Sequence, residues 1–198
     1  MPFDWKKYAG FSLYTGVCLI LFLPIFIAPF IAISNPGAFG ALQAIYAPTC
    51  HQLASRSLCY FENGSLMDCA QPNQGVTGRA AEVFSNGIEG FRFPVCARDL
   101  GIYGAMLFGA IAFALLRGAG DRRVPNIIYF VILLVPIAID GGTQLLGFRE
   151  STNALRLVTG GLAGIAVPFY MIPILNTFAN GPLPAVQLER KNKKGKVG

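Results

Sequence analysis

The sequence predicts an all-α integral membrane protein: four transmembrane helices, both termini cytoplasmic, and one long extracytoplasmic loop carrying small hairpins. Three observations lead there. Mean hydropathy is +0.52, and 54% of residues are hydrophobic while only 13% are charged, against about 25% charged in a typical soluble domain. The apolar residues fall into four long blocks rather than amphipathic periods. The Lys and Arg residues gather asymmetrically around the ends of those blocks.

The first block, residues 11–33, is free of charge. Lys6 and Lys7 precede it and "AIS" lies near its end, as in a signal peptide. Signal cores run about 7–15 apolar residues, and this block is longer, so it is read as a retained helix. Pro24 and Pro29 are expected to kink it, and Cys18 midway reads as a small apolar filler.

Residues 35–98 form the loop, too long to be a mere turn and so expected to be structured or functional. Its first part, "AFGALQAIYAPTCHQLASRSL", reads as short helices broken at Pro48. Its second part holds two turn signals, Asn63-Gly64 and Asn86-Gly87, with Phe84, Ile88, Phe91 and Phe93 around the latter. One or two small β-hairpins are expected there.

Residues 100–116, 124–139 and 157–174 are the remaining blocks. They lie near the short end of the roughly 17–25 residues that span a bilayer, and uncharged polar flanks such as 141–148 extend them. The second helix starts near Asp99, which is placed to cap it, and ends at Arg117. The seven-residue turn "RGAGDRR" then makes the second and third helices an antiparallel pair, with Pro125 opening the third. Ala105 with Gly109, and Gly160 with Gly164, present small-xxx-small faces on the second and fourth helices.

With the N-terminus inside, ten basic residues lie on the cytoplasmic side: Lys6, Lys7, Arg117, Arg122, Arg123 and five in the tail. Six lie outside: Arg56, Arg79, Arg92, Arg98, Arg149 and Arg156. Both ends are therefore expected in the cytoplasm, with residues 1–184 as a single four-helix membrane domain and 185–198 as a disordered basic cytoplasmic tail. The net charge of +6 reflects this asymmetry and points to membrane lipids, not to nucleic acid.

Two clusters carry chemistry. Four of the five cysteines, Cys50, Cys59, Cys69 and Cys96, fall in the loop. By count alone they would make two disulfides in an oxidising compartment, with three possible pairings. Cys50 is followed by His51, and Cys96 by Asp99 at chelating spacing, whereas Cys59 and Cys69 flank a Gly/Asn turn. The expectation is a Cys59–Cys69 disulfide and a metal site of Cys50, His51 and Cys96, with Asp99, water or substrate in fourth place. Thiolate, imidazole and carboxylate together suit Zn2+. No C-x-x-C-H occurs, so covalent haem is not supported. The second cluster lies in "IDGGTQLLGFRESTNALRLVTGG". Asp140 is about 22 Å along the third helix from Pro125, near the outer interface. It shares a face with Thr143 and Gln144, and Arg149, Glu150, Asn153 and Arg156 follow. A carboxylate near the membrane must be paired, here by Arg149 or Arg156 with Ser151 capping the last helix, or else serve a function.

The stretches "CHQLASRS", "CARDLGIYGA" and "DGGTQLLGFRESTNALRLVTG" resemble a prokaryotic family of small predicted membrane proteins of unknown function, over about residues 48–165. That resemblance implies a multi-pass protein of a prokaryotic cytoplasmic membrane. It also implies a Cys-His plus Cys-x-x-Cys metal site, in which Asp99 stands here for the second Cys of the latter motif.

Two functions compete at this stage. One is a metal-dependent enzyme acting on a lipid or lipid-linked substrate, its ion above a polar pocket of Asp140, Gln144, Arg149 and Arg156. The other is a non-catalytic accessory or assembly subunit, partnered by other membrane subunits, with zinc or disulfides holding its loop. A transporter ranks last, because the chain shows one intramembrane carboxylate and no inverted repeat.

Overall fold

A computed structural model of the chain describes residues 5–50, 52–69, 81–85 and 87–181. The order is α1 (Trp5–Ile31), α2 (Pro36–Tyr46), a single 3-10 turn (Ala54–Arg56), β1 (Leu58–Phe61), β2 (Leu66–Asp68), β3 (Glu82–Ser85), β4 (Ile88–Arg92), α3 (Ala97–Arg117), α4 (Ile127–Leu145) and α5 (Asn153–Asn180). Among the described residues, α1, α3, α4 and α5 are long and apolar enough to cross a membrane. A four-stranded antiparallel sheet adds to this helical architecture. His51, Arg79, Asn86 and the basic tail lie outside the described residues.

Helix ends follow local chemistry. Asn126 caps α4 by accepting from the Ile128 N–H, so Pro125 precedes the helix rather than opening it. Thr152 caps α5, accepting from the Leu155 N–H at 3.3 Å, where Ser151 was expected. Cys96 occupies the N-cap position of α3. Asp99 is therefore not the cap but sits in the first turn, where a carboxylate suits the positive end of the helix dipole.

Glycines set the packing. A Cβ on Gly160 would lie 2.3 Å from the Arg98 carbonyl oxygen, and one on Gly164 2.3 Å from that of Ile102. One on Gly101 would lie 2.4 Å from that of Leu157. These contacts make α3 and α5 a parallel pair in backbone contact, which only residues without a side chain allow. The second and third transmembrane helices do run antiparallel, but they are not close partners. The central helix is α5, which packs on α3, α1 and α4. Among the described residues of peripheral α4, only Asp140 is buried. Cys18 packs between helices with Tyr14, Ala110, Phe113 and Ile172 rather than facing lipid.

At one end of the bundle the fully buried Asn176 ties three segments together. Its Nδ2 donates to the carbonyls of Ala119 and Asp121 at 2.9 and 3.0 Å, and its Oδ1 accepts from the Gly10 N–H at 3.0 Å. The sheet caps the other end. Both Asn-Gly signals mark hairpins, β1–β2 and β3–β4, with Gly64 at φ +82° and Gly87 at φ +78°. Pairing of β1 with β4 joins the two into one sheet of order β2-β1-β4-β3. Leu58, Phe93 and Val95 bring it onto Ile25 of α1 and Leu100 of α3. Cys59 and Cys69 are disulfide-bonded, Cα–Cα 5.0 Å, and staple the first hairpin.

Candidate functional site

The connection from α2 to β1 folds back over the N-terminus of α3. Gln52 holds it there from a left-handed backbone, φ +52°, a conformation that costs a non-glycine residue about 1–2 kcal/mol. Its side-chain amide donates to the carbonyls of Gln43, 2.7 Å, and Pro94, 2.9 Å. Gln43 in turn donates to the Arg92 carbonyl and accepts from the Arg92 guanidinium at 2.8 Å, all within the protein interior. The strain at Gln52 is thus offset by a buried amide network that sets where Cys50 lies.

Cys50 and Cys96 are free thiols. Their sulfurs and an Asp99 carboxylate oxygen all lie within 4.8 Å of one another. The Cys50 sulfur accepts from the backbone N–H of Cys96 at 3.3 Å and of Gln52 at 3.5 Å. The Cys96 thiol lies 3.2 Å from Asp99 Oδ2. A hydrogen bond from Cys96 holds the Cys50 thiol down at about 7 against its burial, helped by those two backbone groups. The same pairing pushes the Cys96 thiol up, and burial and the Asp99 charge push it further. The two thiols are thus pushed in opposite directions by the bond between them.

Beside the sulfurs opens a cavity of about 180 Å³, whose wall also includes Arg98, Gln144 and Arg156. Asp140 is buried and paired twice: Arg98 Nη2 donates to its Oδ2 at 2.6 Å and Arg149 Nη2 to its Oδ1 at 2.9 Å. Arg98 Nη2 also reaches Gln144 Oε1 at 3.3 Å, and Arg149 Nε reaches Thr143 Oγ1 at 3.2 Å. The expected pair of Asp140 with Arg149 forms. The alternative with Arg156 does not, because Arg156 points instead along the first turn of α5, where its Nη1 donates to Asn153 Oδ1 at 2.8 Å. Asn153 ties that turn to the sheet through the Ser57 carbonyl and Asp68.

The structure thus brings together Cys50, Cys96, Asp99, Gln144 and Arg156 around one cavity, with Asp140 pairing Arg98 and Arg149. His51 lies outside the described residues. Sequence reasoning missed Arg98 and Gln52, although both stand inside the quoted motifs. Arg98 follows Cys96 by two residues, yet its partner is 42 residues away, and no local spacing announces that pair.

Residues 84–170 match a family described as predicted membrane protein (DUF2085), a span that includes Cys96, Asp99, Asp140 and Arg156 but not Cys50. An uncharacterized protein of Methanocaldococcus jannaschii is 37% identical over 162 residues, covering 79% of this chain and 86% of its own. The chain belongs to this DUF2085 family. A second relative, an uncharacterized protein of Methanothermobacter thermautotrophicus, is 42% identical over 79 residues, 39% of this chain and 68% of its own. No solved structure matches. The resemblance drawn from the motifs is therefore to the right family.

Proposed function

We propose that this protein is a metal-dependent membrane enzyme whose ion, zinc by its ligand chemistry, is held by Cys50, Cys96 and Asp99 at the extracytoplasmic face and faces a lipid or lipid-linked substrate. The observation that carries the reading is the placing of three ligand atoms within 4.8 Å of one another on the wall of a cavity. Tetrahedral zinc with sulfur at about 2.3 Å needs sulfurs about 3.8 Å apart, so the cluster fits with small adjustments. A site on a cavity wall leaves room for a substrate or water beside the ion, and His51 is the adjoining donor in the chain.

A structural role for the ion is less well supported, because the loop has other ties. The disulfide and the Gln52–Gln43–Arg92 network already hold it to the sheet and to α2. The bound ion would supply Lewis-acid polarisation or an activated water. The chain's own residues do the rest: Asp140 and Gln144 orient Arg98, and the N-termini of the parallel helices α3 and α5 present their positive ends to the same cavity.

Zinc content of Asp99→Ala, together with turnover of a membrane-lipid extract by wild type and Asp140→Asn, tests this reading. Lowered zinc content in Asp99→Ala with the loop still ordered, and turnover by wild type that Asp140→Asn lowers at least tenfold, are expected. Loss of the ion together with a loosened loop, and no turnover by any form, would replace it with a structural clamp in an accessory subunit.

A further inference from the structure

The cavity wall carries more donors than the protein satisfies. Arg156 is 2% exposed, and within the described residues its Nε and Nη2 have no hydrogen-bond partner. Arg98 Nε and Gln144 Nε2 are likewise buried and without a partner among the described residues. All of these orphans are N–H groups, and all belong to residues lining the same cavity. An unsatisfied buried donor costs about 1–3 kcal/mol, more when it is charged.

The Arg156 orphans are not arbitrary. Nη1 is used by Asn153, which leaves Nε and Nη2, the two N–H groups on the same edge of the guanidinium. That edge matches two oxygens of a phosphate or carboxylate in parallel. No carboxylate lies within ion-pair distance of Arg156 among the described residues, whereas Arg98 and Arg149 share Asp140 and Arg56 reaches Glu150 at 3.7 Å. A buried guanidinium without a counter-ion is unfavourable, and the N-termini of α3 and α5 add positive potential at the same place.

We infer that the cavity binds a phosphate group, gripped by the Nε/Nη2 edge of Arg156 and by the free donors of Arg98 and Gln144, next to the Cys50–Cys96–Asp99 cluster. This names the substrate class of the proposed metal site and rests on that reading for its catalytic meaning. The anion grip itself rests on the orphan donors alone. A tetrahedral oxyanion supplies enough acceptors for all of them, and a lipid headgroup or a free phosphate would present the same oxygens. A cavity of about 180 Å³ takes the phosphate group and leaves any acyl chains outside, in the bilayer.

The test uses the full chain, zinc-loaded and chelator-treated, in two arms. Inorganic phosphate is titrated calorimetrically against the protein in detergent. In parallel, melting temperature is compared in phosphatidylcholine nanodiscs with and without phosphatidic acid. Wild type should bind in at least one arm, and Arg156→Gln should weaken that binding by about 10- to 100-fold. Arg156→Lys, which keeps the charge and loses the planar edge, should fall between them. Arg123→Gln at the opposite end should behave as wild type. Response only to phosphatidic acid identifies a lipid headgroup, and response to inorganic phosphate a soluble one. Should Arg156→Gln fail to fold, wild-type affinity in Arg156→Lys overturns the inference. Equal binding by wild type and the Arg156 variants, or no binding in either arm, also overturns it. Zinc uptake without phosphate binding removes this inference and leaves the metal reading. Phosphate binding without zinc uptake does the reverse.

Discussion

Asp140 shows how a single side chain organises the site. Its carboxylate is buried, and its two oxygens are divided between Arg98 and Arg149. The partners are unequal: Arg98 is 22% exposed and Arg149 42%. Asp140→Asn leaves both cations without their carboxylate and should destabilise the protein by about 3 kcal/mol. Arg149→Gln, at the more exposed pair, should cost less than about 1 kcal/mol. Denaturant unfolding in micelles distinguishes them, and equal losses would show that burial does not set the balance. The Arg149 half of this arrangement was legible because nine residues and one turn separate the pair. The Arg98 half was not, since it depends on how α3 approaches α4 through α5, which no local period encodes. Asp99 was legible as a helix-start residue, but its register was off by three, because Cys96 takes the cap.

At the scale of elements, the α3–α5 contact positions the site, because it fixes both helix N-termini beneath the cavity. Gly160 and Gly164 face carbonyls across the interface at distances that no Cβ tolerates. Gly164→Val should therefore destabilise the bundle by about 1–3 kcal/mol and displace the first turn of α5. Gly142→Ala, with open space around it, should do neither. Thermal unfolding of the two variants checks this, and equal melting temperatures would contradict the packing described. The small-residue spacing was readable in the sequence as close-approach faces. That these faces join parallel helices, with α4 outside them, was not, because a short turn suggests adjacency and cannot see a third helix inserted between its two arms. In the sheet, both Asn-Gly turns were readable from turn chemistry alone. The β1–β4 pairing that joins the hairpins is long-range and was not. The Cys59–Cys69 link closes a short loop, and replacing both with serine should cost about 3 kcal/mol of sheet stability.

On the scale of the whole molecule, the proposed topology has the sheet and the cavity outside the cell and both termini inside it. The basic asymmetry that suggests this predicts that a thiol reagent added from outside labels Gly75→Cys and misses Gly120→Cys; the reverse pattern would invert the topology. Four apolar blocks were enough to read the membrane class, since block length against bilayer thickness is a one-dimensional property. The cavity was legible only in part. Its thiols and carboxylate stand out by residue type and spacing, while its size and its surplus of donors exist only once four segments meet. The central claim is that Cys50, Cys96 and Asp99 hold an ion, and metal content per chain tests it most directly. Elemental analysis of protein purified without chelator should find about one zinc per chain in wild type and none in the Cys50→Ser/Cys96→Ser double variant. Equal metal content in the two proteins, or none in wild type supplied with zinc, would contradict it.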